Sequence, residues 1–104
     1  MAYNLILADR ADELIDGHVA YLLKKLKNPE AATHYLDGMD RIYDQLESNP
    51  YLYPECSDDF LRRKGYREAL LPQMDYRVVF MVEGQTVYIV GVFHILEDYG
   101  RKVE

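Results

Sequence analysis

The chain has 104 residues, enough for one hydrophobic core and too few for two independent ones, so a single domain over 1–104 is expected. Hydrophobic residues make up 49% and charged residues 29%, as in ordinary globular domains, which argues against a disordered chain, and no apolar run reaches the ~18 residues of a membrane span. A net charge of −6 argues against a protein whose whole surface binds nucleic acid, because such binding draws on phosphate neutralisation.

Met1-Ala2-Tyr3-Asn4 lacks the basic start and apolar stretch of a secretory signal, so the cytoplasm is the expected address and no membrane partner is implied. The lone Cys56 allows neither an internal disulfide nor a multi-cysteine metal site. Charge is unevenly spread. Residues 1–60 hold twelve acids against five bases, whereas 61–82 hold Arg62, Arg63, Lys64, Arg67 and Arg77 against Glu68 and Asp75. This basic stretch reads either as a contact for anions or as a solvated strand entrance that discourages edge pairing.

Tyr3 to Leu7 forms a short apolar run that reads as a strand, with Asp9 as a helix N-cap and Asp12 three residues on. Leu14, Ile15, His18, Val19, Leu22, Leu23 and Leu26 then recur at three- and four-residue spacing, the mark of an amphipathic helix. Its acids lie early and its lysines late, which suits the helix dipole. Asn28-Pro29 ends that helix and caps a second, in which Ala32, Tyr35, Leu36, Met39, Ile42, Tyr43 and Leu46 repeat the period up to Ser48-Asn49-Pro50. So brief a connection predicts an antiparallel hairpin. His18 and His34 read as helix residues, not ligands, and Gly38 is expected at a close helix crossing.

Residues 49–61 read as an ordered connector broken by Asn49-Pro50 and Tyr53-Pro54. Three strand-like runs follow, 66–71, 76–82 and 86–94, separated by turns too short for anything but antiparallel neighbours. The predicted fold class is α+β: an N-terminal strand, an antiparallel helical hairpin covering one sheet face, and a three-stranded antiparallel meander.

No phosphate-cradling glycine loop, metal-spaced Cys/His cluster or nucleophile elbow is present, so no metal or other cofactor is expected. Chemistry is left to the sheet and the tail. Arg67 and Arg77 fall on adjacent strands and are expected on one concave surface, where two guanidiniums suit a phosphate or a partner's carboxylate. Pairing with Glu68, Asp75 or other acids is the alternative. His94 to Tyr99 adds an imidazole, two carboxylates and a phenol, either acid–base groups or packing at the end of the sheet.

Gly65-Tyr66-Arg67, Tyr76-Arg77-Val78-Val79-Phe80, Val87-Tyr88-Ile89-Val90 and His94-Ile95-Leu96-Glu97-Asp98-Tyr99, in this order after a strand and a helical hairpin, resemble the RelE/ParE toxins of bacterial type II toxin-antitoxin systems. The resemblance covers most of the chain and implies a β-α-α-β-β-β fold and a growth-inhibiting toxin, of the kind linked to plasmid stabilisation, neutralised by a cognate antitoxin. The RelE-like outcome is ribosome-dependent cleavage of mRNA. Arg67 and Arg77 would then stabilise phosphate charge, His94 or Tyr99 would move protons, and Arg62, Arg63 and Lys64 would contact nucleic acid. The ParE-like outcome is poisoning of DNA gyrase by protein contact without nuclease activity, and an inactive antitoxin-binding relative is a third.

Overall fold

The computed structural model describes residues 2–103. Strand β1 (Asn4–Leu7) leads into helix α1 (Asp9–Ala20), which continues as a wider π-helical turn over Tyr21–Lys25. Helix α2 (Pro29–Ser48), a short helix α3 (Asp59–Arg63) and strands β2 (Arg67–Leu70), β3 (Tyr76–Glu83) and β4 (Thr86–His94) follow. One sheet has the order β1-β4-β3-β2, with β1 parallel to β4 and the other pairs antiparallel. This is the expected α+β layout, with the last two meander strands at its centre.

The hairpin joint is built as the sequence suggests, because Asn28 accepts a hydrogen bond from the Ala31 amide at 3.1 Å and Pro29 opens α2. The start of α1 differs. Ala8 is its cap residue and Asp9 lies inside the first turn, where its charge meets the helix dipole without a capping bond. Gly38 also has a different neighbour from the one expected: a Cβ there would lie 3.1 Å from Leu71, so the close approach is to the β2–β3 turn, not to another helix.

The helices bury Ala11, Ile15, Tyr35, Met39, Ile42 and Leu46 against Val78, Phe80, Val87, Ile89 and Val92 of the sheet. The opposite face carries a second cluster, in which Val79 and Phe93 pack under Cys56, Leu61, Tyr66 and Tyr99. Both faces of β3 and β4 are therefore covered over part of their length, which explains their near-continuous apolar runs. A bulge opposite Val79 and Phe80 inserts one residue into β4, so that Val92 faces the helices as Ile89 does, despite the odd spacing. The connector is more structured than expected. It holds a 3₁₀ turn at Pro50–Leu52, and Asp58 caps α3 by accepting from the Leu61 amide at 3.0 Å.

Candidate functional site

The strand register decides where the sequence-singled residues point. Arg67 lies opposite Phe80 and Arg77 opposite Leu70, and positions three apart on one strand face opposite sides. The two arginines therefore do not share a surface. Arg67 lies on the helix side, where it donates to the Tyr53 carbonyl at 2.6 Å and its guanidinium sits 5.0 Å from the Tyr51 ring.

Arg77 lies on the other face inside a polar knot. Its side chain is 11% exposed, as is that of Glu68, and the two are 3.3 Å apart. It also donates to Ser57 Oγ at 3.4 Å and to the Ile95 carbonyl at 3.3 Å, while the Tyr99 ring covers its guanidinium at 4.1 Å. The Tyr99 hydroxyl donates to Glu68 at 2.6 Å, accepts from the Asp58 amide at 3.0 Å and lies 3.1 Å from Ser57 Oγ. A short 3₁₀ turn, Tyr99–Arg101, brings that ring back beneath the sheet. Burial, with the Glu68 carboxylate adding to it, pushes the Tyr99 phenol up from its usual range. The same two causes push the buried Cys56 thiol up to about 12, which leaves it protonated and a poor nucleophile at neutral pH.

His94 belongs to a different group. It pairs with Tyr76 on the helix side, where His18 and His94 lie 4.8 and 5.5 Å from the Tyr76 ring centre. His18 Nδ1 is 2.7 Å from the Tyr35 hydroxyl, and burial lowers its pKa. His94 Nδ1 accepts from the Leu96 amide at 3.1 Å, which ties this imidazole to the turn that leaves β4. Glu97 accepts from the His94 amide and from Lys102, at 2.9 and 2.7 Å.

Arg62, Arg63 and Lys64 are exposed on and just after α3. Arg62 pairs with Asp59, and Lys64 lies 4.6 Å from the Phe60 ring centre. Of the residues expected to act together, only Arg77 and Tyr99 meet. Glu68 was legible as a pairing partner for the arginines, but Ser57 carried no local signal, since only the path of the connector brings it to the sheet. Among the described residues no group of three or more His, Cys, Asp or Glu side chains is placed to hold a metal ion.

The strand, hairpin and meander, with a tail folded back on the sheet, define a small two-layer α+β fold. A solved structure of the chromosomal ParDE toxin-antitoxin system from P. aeruginosa superposes with a TM-score of 0.73 at 16% identity, covering 90% of this chain and 97% of that one. A free-state arginine-to-alanine double mutant of E. coli toxin RelE superposes with a TM-score of 0.63 at 14% identity, covering 98% and 93%. No curated protein sequence matches. The family model described as "ParE toxin of type II toxin-antitoxin system, parDE" matches residues 5–99, so the chain belongs to the ParE toxin family.

Proposed function

We propose that this type II toxin arrests growth in the cytoplasm by contact with a protein target, DNA gyrase being the one the ParE resemblance suggests, and that a cognate antitoxin neutralises it. The state of Arg77 carries this reading. A guanidinium that stabilises a cleaved phosphate needs free donors aimed at open space, whereas Arg77 is spent on Glu68, Ser57 and the Ile95 carbonyl and covered by Tyr99. Arg67 and His94 lie on the far side of the sheet from it, so the four groups required for RelE-like mRNA cleavage do not converge. The charge of −6 adds to this, since docking among ribosomal phosphates favours a basic surface.

The antitoxin has apolar surface to cover. Leu23, Leu26 and Leu36 on the helical hairpin and Ile6 on β1 are each more than 40% exposed, which suits a segment that folds on binding. The deciding experiment is expression without antitoxin, coupled to supercoiling assays with purified gyrase and sequencing of transcript ends. Inhibited supercoiling with intact transcripts is expected. Transcripts cut on the ribosome, with gyrase unaffected, overturn the proposal.

A further inference from the structure

The two edges of the sheet are finished differently. At the β2 edge the connector supplies the missing neighbour, because the Cys56 amide donates to the Tyr66 carbonyl at 3.0 Å and the Glu68 amide to the Pro54 carbonyl at 3.1 Å. At the other edge β1 pairs with β4 alone. The Asn4 and Ala8 amides donate inward, to the Gln85 and Ile89 carbonyls at 2.7 and 3.0 Å, while the Tyr3 amide donates outward, to the Glu47 carbonyl near the end of α2. Backbone alternation turns the N–H and C=O groups of Leu5 and Leu7 outward as well, where no described residue bonds to them. Shortness is the only defence of this edge: Asn4–Leu7 holds no charge, proline or bulge, and Ile6 is 46% exposed.

We infer that β1 is a self-association edge, through which two copies of the free toxin pair antiparallel about a two-fold axis at Ile6 and join their sheets. In that register Leu5 of each copy lies opposite Leu7 of the other, and such a pair exchanges both of its backbone hydrogen bonds, so every outward group of the edge is satisfied. Ile6 meets its own counterpart and extends the row it forms with Tyr88 and Met81 across β4 and β3. The charges fit the same axis. Antiparallel pairing carries the start of α1 in one copy to the residues before β1 in the other, where Ala2 lines a cleft with Asp44 and Glu47. Arg10, the only lysine or arginine before residue 24, then faces those carboxylates, and none of these side chains makes an ion pair among the described residues of its own chain. A second copy thus supplies both the missing strand and the missing cation. This pairing belongs to the toxin free of antitoxin and does not depend on which intracellular target the toxin has.

The test is sedimentation equilibrium of the full chain without antitoxin, with amide hydrogen exchange at low and high protein concentration. A reversible monomer–dimer equilibrium is expected, with a Kd on the order of tens of micromolar as suits a small interface, and the Leu5 and Leu7 amides should gain protection as the dimer forms. Ile6→Lys, at an exposed position, sets two like charges opposite each other and should weaken the dimer by about tenfold with the urea midpoint little changed. Leu70→Lys, equally exposed but at the other edge of the sheet, should leave the dimer intact. Arg10→Glu should weaken association by about threefold, and adding Asp44→Lys and Glu47→Lys to it should restore the wild-type Kd. A chain that stays monomeric up to roughly 1 mM would leave the edge to some other protein's strand and overturn the inference. So would a dimer whose Leu5 and Leu7 amides stay unprotected, equal effects of Ile6→Lys and Leu70→Lys, or charge reversal that fails to restore pairing.

Discussion

The two faces of the sheet are held by different physics. On the helix side, Tyr35, Met39, Ile42 and Leu46 meet Val78, Phe80 and Ile89 in a mostly apolar layer, where shape and area set the energy. On the opposite side a smaller apolar cluster surrounds a buried ion pair, Glu68 with Arg77, whose members bond further to Tyr99, Ser57 and the Ile95 carbonyl while Arg77 Nε is buried without a partner. The first face tolerates errors in proportion to volume. The second fails by leaving a charge without its partner, so a change that removes few atoms can be as damaging as a large cavity.

The largest effects should test that equivalence. Phe80→Ala, at a fully buried position, should cost about 3–5 kcal/mol of unfolding free energy through lost burial and a residual cavity. Arg77→Ala should cost a similar ~3–5 kcal/mol, although the residue is not part of the apolar core, because Glu68 is left charged and 9% exposed. Urea unfolding of both variants measures the comparison. If Arg77→Ala lost well under 1 kcal/mol, the pair would be hydrated and the account of the second face wrong. A double variant, Arg77→Met with Glu68→Leu, should recover most of the loss, since it removes both charges together.

Tyr99→Phe comes next. The ring stays and the hydroxyl goes, which deprives Glu68 of a donor and the Asp58 amide of an acceptor. A loss of about 1–3 kcal/mol is expected, with weakened amide protection at Asp58 in hydrogen exchange. An unchanged midpoint would mean that water replaces the hydroxyl.

The helix side has a pH-sensitive point that sharpens the contrast. Burial lowers the His18 pKa below its ordinary 6.5, so the native state holds this imidazole neutral. The unfolded chain therefore binds more protons below about 6.5, and stability should fall as pH drops through that value towards the folded one. Its stabilising contribution is complete above the unfolded pKa. Urea midpoints at pH 7.5 and pH 5.5 measure the loss, and His18→Gln should flatten the difference. Glu97 attracts a charged His18 and the other imidazole, His94, repels it, so the slope reflects all three.

Much of the first face was legible in the sequence, because helical spacing and Asn28-Pro29 are local signals: Ile15, Leu22, Ala32, Tyr35, Met39, Ile42 and Leu46 of that pattern are buried, whereas Leu23, Leu26 and Leu36 of the same pattern are exposed. The π-helical turn and the Asp58-capped α3 were less so: five residues of helix give too short a window for periodicity. The candidate site was half legible. Tyr-Arg on β3 and the tail tyrosine stood out, but their expected role assumed that Arg67 and Arg77 point the same way. That depends on a register of Arg67 with Phe80, which no single-strand pattern determines.

The smallest effect is the most useful for function. Arg62 and Arg77 both pair with a carboxylate, but the Arg62–Asp59 pair sits in solvent, its side chains 44% and 68% exposed, where water screens the attraction. Arg62→Ala should therefore change stability by no more than about 0.5 kcal/mol, and Arg62→Ala with Arg63→Ala by less than about 1 kcal/mol. Such a variant separates folding from recognition. With the fold intact, retained toxicity means these cations do not grip nucleic acid, as a toxin acting by protein contact at another surface requires. Lost toxicity that high salt also reproduces in the wild type would assign α3 to an anionic target, since only an exposed cation cluster responds to both changes.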